Sequence, residues 1–239
     1  MRIGVWNCCN GLSHPDQVRQ FHALELDVTI IPECRERDIP NLAPDAAIWR
    51  TNNHMLAHPK GLAVLTYNGF TLEPLSHDPE MEIYIPLRVS SRRQSFNLLA
   101  VWNFYHAAKQ GRFRGAKGET AVELTAIRHY APLMNDHFIM AGDFNYGPTF
   151  SGRAFVDFCK RLSEQHVYSA YHAWHGKPVD QSDHATFRHS SGKTHHLDHI
   201  FLSADFKQHM SKMMIPPISE VVRSDHAPIF VEIADMQPS

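Results

Sequence analysis

The chain has 239 residues, 43% of them hydrophobic, enough to bury a substantial core, and a net charge of −2, which excludes a global basic field of the kind that drives non-specific duplex binding. Its four cysteines, Cys8, Cys9, Cys34 and Cys159, form no CxxC pair and no evenly spaced framework, the pattern of free thiols in a reducing compartment. Charged residues break every apolar run well short of a membrane span and Met1 leads directly into a strand-like run, so the expected location is cytoplasmic.

Short β-branched or aromatic runs alternate with longer amphipathic ones. A strand is expected at Ile3–Trp6, then a helix from Pro15 to Leu26 with Val18, Phe21 and Leu24 inward. Strands follow at Val28–Ile31, Leu62–Tyr67, Ile83–Val89 and Phe96–Trp102. A second helix is expected from Gly118 to Tyr130, carrying Val122, Ala126 and Tyr130, and a strand at Phe138–Ala141. Phe155, Phe158, Cys159 and Leu162 stand at i, i+3, i+4 and i+7, the face of a third helix with Ser151 as its N-cap. Strands at Leu197–Leu202 and Ile229–Ile233 complete the series, and Pro and Gly mark loops between elements. Strand-rich halves flanked by helices fit a two-sheet α/β sandwich.

Polar residues stand at the ends of several of these strands. Asn7 follows the first, Pro32-Glu33 the second, and Gly142-Asp143-Phe144-Asn145 grows out of the strand at Phe138–Ala141. Leu197-Asp198-His199 opens a later strand, and Ser224-Asp225-His226-Ala227-Pro228 precedes the last. Such side chains can converge on one edge of a packed sheet, where loops leave room for a ligand. Their carboxylate and amide oxygens suit a hard divalent ion such as Mg²⁺ or Mn²⁺. A phosphodiester needs what such a site offers: a cation, a positioned water and a donor for the developing charge. His195, His196 and His199 do not share one strand face at ligand spacing, which argues against zinc, and Trp6, Trp102, Phe144 and Phe201 read as packing residues.

In this order the motifs resemble the signature of the endonuclease/exonuclease/phosphatase superfamily, the fold of deoxyribonuclease I and exonuclease III. The resemblance covers nearly the whole chain. It implies one domain over residues 1–239, a four-layer α/β sandwich of two packed mixed sheets flanked by helices, and a metal-dependent phosphoesterase. It implies Glu33 as the principal metal ligand, with Asn7 and Asp225 beside it. Asp143 would orient or deprotonate the attacking water, Asn145 would donate to a phosphoryl oxygen or hold Asp143, and His226 would contact the phosphate with Asp198 as its carboxylate partner.

The resemblance has gaps. Cys9 stands where the first motif often has a second polar ligand, and Trp102 or Asn103 falls where many members carry a central-strand catalytic residue, with Tyr105 or His106 as shifted substitutes. The Trp-Trp-x-Tyr-Arg segment of abasic-site endonucleases is absent, which disfavours abasic-site repair. A basic segment containing Lys109, Arg112, Arg114 and Lys117 supplies candidate substrate contacts in Arg112 and Arg114, with His106 as a third. The expected substrate is nucleic acid, with a small or lipid phosphoester next and a catalytically silent binding module of the same fold as the rival class.

Overall fold

The structure is a computed structural model and describes residues 1–9, 11–51, 60–81, 83–103, 112–113, 115–135 and 137–234. In chain order its elements begin with β1 (Arg2–Val5), α1 (Pro15–His22), β2 (Val28–Cys34), β3 (Ala46–Thr51) and β4 (Gly61–Thr66). Next come β5 (Thr71–Pro74), β6 (Tyr84–Ser90), β7 (Ser95–Trp102), α2 (Val122–Tyr130) and β8 (Phe138–Asp143). Then follow α3 (Pro148–Ser151), α4 (Arg153–Ser163), β9 (Val167–Ser169) and α5 (Ala170–His175). The chain continues through β10 (Phe187–Arg188), β11 (Thr194–His195), β12 (Asp198–Ser203), α6 (Ala204–Gln208), β13 (Met210–Met214) and β14 (Ile229–Ile233).

Two six-stranded sheets result, ordered β13-β14-β1-β2-β4-β3 and β5-β6-β7-β8-β12-β9. Each is mixed: β1 runs parallel to β2 and β7 parallel to β8, and the other neighbours are antiparallel. The period-2 alternation of a strand assigns its two faces. Val28 and Ile30 of β2 and Leu62 and Val64 of β4 enter the large core shared with β7, β8 and β12. The intervening Ile31, Ala63 and Leu65 join Trp6 and Phe21 in a second cluster beneath α1. Strands buried on both faces read as continuous apolar runs, as β8 and β12 do. Trp6, Trp102, Phe144 and Phe201 are all buried.

Three expectations need correction. Helix α1 stops at His22 because Arg2 takes the Leu24 carbonyl with its guanidinium at 2.8 Å and Glu25 turns into the left-handed region at φ 49°, which feeds the chain into β2. Helix α4 buries Phe155, Phe158, Cys159 and Leu162, but Gly152 is its N-cap; Ser151 instead ends α3, a short turn begun by Pro148. The turn Gly118–Thr120 expected inside the second helix is a separate 3₁₀ turn.

Candidate active site

The topology collects the strand-end residues. Because β1 and β2 are parallel, as are β7 and β8, Asn7, Glu33 and Asp143 emerge at the C-terminal ends of their strands. Strands β12 and β14 run against their neighbours, so Asp198 and His226 arrive at the same edge from their N-terminal ends, with Asp198 paired to Asp143 across β12 and β8.

Local backbone sets each side chain. A Cβ on Gly142 would stand 1.7 Å from the Val101 carbonyl oxygen, so only glycine lets β8 pass β7 here and deliver Asp143. Asn145, left-handed at φ 47°, folds its own N–H back onto Asp143 Oδ1 at 2.9 Å. Glu33, at φ 55°, sits in a bulge where pairing with β4 jumps from Ile31 to Cys34, and this re-aims its carboxylate.

Two hydrogen-bonded groups meet there. In the first, His226 Nδ1 donates to Asp198 Oδ2 at 2.8 Å, with the residues 4% and 0% exposed. Burial works against the imidazolium, but the charge and hydrogen bond of Asp198, followed by the charges of Asp143 and Asp225, outweigh it and push His226 up to about 10. The Phe187 ring lies 4.8 Å from the imidazole. In the second, Lys60 Nζ donates to Glu33 Oε2 at 2.5 Å, and Asn7 Nδ2 donates to Glu33 Oε1 and to Asp143 Oδ2, each at 3.1 Å. Burial and then the nearby charge of Asp198 raise Asp143 to about 7, against the lowering pull of His226, the Asn145 N–H and the Asn7 amide.

Thr186 fastens the two sides. Its hydroxyl accepts the N–H groups of Leu197 at 2.9 Å and Asp198 at 3.0 Å, and its carbonyl accepts Ala227 N–H at 2.7 Å. The β10–β11 hairpin that follows bridges Phe187 to His226.

No family model matches the sequence, and no curated protein matches it. Solved structures do. The 3'-5' exonuclease NExo of Neisseria meningitidis superposes over 98% of this chain and 99% of its own with a TM-score of 0.70 at 16% identity. The AP endonuclease of Archaeoglobus fulgidus gives 0.69 over 98% and 99% at 12% identity. The endonuclease domain of TRAS1, a telomere-specific non-LTR retrotransposon, gives 0.67 over 98% of each chain at 13% identity. The chain has the endonuclease/exonuclease/phosphatase fold.

Within that fold, the donor set fits a hard cation. Glu33 and Asp225 supply carboxylates around Cys9, and beside them Asp198 Oδ1 is buried without a hydrogen-bond partner among the described residues. Cys9 marks where the negative field gathers: burial first, then the charges of Asp225 and Glu33, push its thiol up, and Lys60 opposes them. Among the described residues, Asp143, Asp198 and His226 alone form a His/Cys/Asp/Glu group close enough to share an ion. We read that trio as a proton-bearing network, since a charged His226 has no lone pair to offer a metal. Asn7 turns its NH₂ toward the two carboxylates while its Oδ1 accepts Cys9 N–H at 3.1 Å, so it bridges ligands in this arrangement.

The expected residues Asn7, Glu33, Asp143, Asn145, Asp198, Asp225 and His226 thus stand at one edge of the sandwich, with Asp225 exposed beside buried His226. Arg112 is bound to Asp78 at 2.7 Å and Glu80 at 3.0 Å and stacks on Phe113. Arg114, His106, Tyr105 and Lys109 lie outside the described residues. Trp102 and Asn103 are buried, with Asn103 donating to Glu123 at 2.5 Å. Sequence reading missed Lys60, Thr186, Phe187 and Phe150, the last 56% exposed on α3 with its ring edge-on to His195 at 5.4 Å.

Behind the site, His196 and His199 stack at 4.6 Å with nearly parallel rings. Burial holds His196 well below the usual 6.5 and His199 at about 3. Unfolded chains take protons at both below pH 6.5 and the native state refuses them, so stability falls on acidification; Asp143, which keeps its native proton up to about 7, offsets one of the two. His226 holds its native proton to about 10, so stability is also shed as pH rises from 6.5. Denaturant midpoints measured near pH 4.5, 6.5 and 9.5 should peak in the middle, each unbalanced proton giving a slope of about 1.4 kcal/mol per pH unit. A midpoint still climbing toward the alkaline end would contradict a protonated His226.

Proposed function

We propose that residues 1–239 act as one divalent-metal-dependent phosphodiesterase, with nucleic acid as the substrate and water attacking phosphorus in line without a covalent enzyme intermediate. The carrying observation is the meeting of the His226–Asp198 pair with the Glu33–Asn7–Asp143 set at one edge. Mg²⁺ or Mn²⁺ would be held by Glu33 and Asp225 with Asn7 beside them, and when bound would offset charge on the phosphoryl oxygens.

The chain's own groups carry the proton traffic. Asp143, poised at about 7 and held by two N–H donors, accepts the proton of the attacking water near neutral pH. His226, charged up to about 10, donates through its second ring nitrogen to a phosphoryl oxygen, and Asp198 keeps the imidazolium charged and oriented. Asn145 fixes Asp143 through its backbone N–H.

Nucleic acid as substrate is supported by the neighbours' own activities, since one is an exonuclease and a related 3' phosphatase structure holds a product DNA hairpin. Exposed Phe150 beside His195 adds a surface on which a base can stack. A small or lipid phosphoester is the second reading, favoured by the net charge of −2 and by Arg112 being already bound to two carboxylates.

The test is hydrolysis of labelled single- and double-stranded oligonucleotides and of bis-p-nitrophenyl phosphate with Mg²⁺ or Mn²⁺, beside Glu33→Gln. Metal-dependent oligonucleotide cleavage lost in the variant is the expected result. Hydrolysis of the small diester alone would favour the second reading, and silence on all three substrates would leave a binding module.

A further inference from the structure

Lys60 was not selected by any motif, yet its ammonium lies 2.5 Å from Glu33 Oε2, in a pair whose side chains are 31% and 24% exposed. The other Glu33 oxygen takes the Asn7 amide. The carboxylate assigned above to a divalent ion is therefore met by a side chain carrying one positive charge.

An ion at the same oxygens would compete with that ammonium, because two like charges would then share a partly sheltered site. The backbone limits how the ammonium can yield. Thr51 Oγ1 donates to the Lys60 carbonyl at 2.8 Å, and the adjacent Gly61 packs so tightly that a Cβ there would stand 2.3 Å from the Arg50 carbonyl oxygen. The root of Lys60 is thus fixed at the start of β4, and only its flexible four-carbon stem can swing. A phosphodiester entering this edge would bring a new anion beside Glu33, the carboxylate that Lys60 already reaches, while His226 is paired with Asp198.

We propose that Lys60 serves two anions in turn: Glu33 while the metal is absent, and a non-bridging phosphate oxygen of the substrate once the ion has taken Glu33. In the first role it holds the carboxylate in place and competes with the ion. In the second it adds a charge-assisted hydrogen bond to bound substrate. The inference rests on Glu33 being a metal ligand.

The two roles predict effects of opposite sign, which a merely structural lysine would not give. In Lys60→Met, Mn²⁺ binding to the substrate-free protein, measured by isothermal titration calorimetry, should tighten by about threefold to fivefold. KM for an oligonucleotide at saturating Mn²⁺ should rise by about tenfold. Lys60→Arg, which keeps the charge, should restore most of the KM while leaving Mn²⁺ binding near wild type. Unchanged or weaker Mn²⁺ binding in Lys60→Met overturns the competition, and an unchanged KM overturns the phosphate contact. Glu33→Gln run alongside separates this from the underlying reading: if it binds Mn²⁺ like the wild type, the ion is not at Glu33 and both proposals fall.

Discussion

Replacing His226 with alanine should lower kcat by about 10³-fold and also destabilise the fold by about 3 kcal/mol or more. The first effect follows from losing the charged donor at the phosphate. The second follows from Asp198, a fully buried carboxylate whose Oδ2 accepts that imidazolium and whose Oδ1 lacks a hydrogen-bond partner among the described residues. Without His226 the Asp198 charge is stranded. The double variant Asp198→Asn/His226→Gln removes the stranded charge, so it should recover much of the lost stability and none of the turnover. Chemical denaturation and kcat measured on the three proteins test this. Full activity in His226→Ala would refute the assigned donor, and a double variant no more stable than the single would refute the stranded-charge account.

Asp198→Asn should act mainly through pH. In the wild type, Asp198 is the leading influence that overcomes burial and holds His226 up at about 10, so the alkaline limb of the rate profile should fall near there. With asparagine the charge is gone, and His226 should drop toward its ordinary 6.5 or lower. At pH 8 the protonated fraction would then be about thirtyfold smaller, with kcat following it. The acid limb, set by Asp143 at about 7 before any ion is bound, should also shift down once Asp198 no longer adds its charge. A kcat profile whose alkaline limb stays in place in Asp198→Asn would make Asp198 a packing residue.

Much of this site was legible because its residues sit beside recognisable strands. Asn7, Glu33, Asp143 and His226 follow or precede apolar runs that could hardly be anything else. Strands β3, β5 and β13 escaped notice because they lie at or next to sheet edges and carry half-exposed residues with no apolar alternation to read. Lys60 and Thr186 escaped for another reason. Their chemistry lies in partners far away in sequence, Glu33 for one and Asp198 and Ala227 for the other, and a lysine before a glycine or a threonine in a polar loop carries no local mark. Helix α1 is shorter than its sequence implies because Leu24 continues the spacing of Val18 and Phe21, which Arg2 interrupts from another element.

The clasp at Thr186 has a mechanical meaning. His226 hangs from one sheet and Asp198 from the other, so their 2.8 Å bond spans the seam, and Thr186 is buttoned to both sides of it. Sliding the layers by about an ångström would part the pair while every strand ladder survived. Turnover should therefore work as a thermometer for that seam: on warming, or after a truncation in the distant core, it fails before any spectroscopic sign that the strands have come apart.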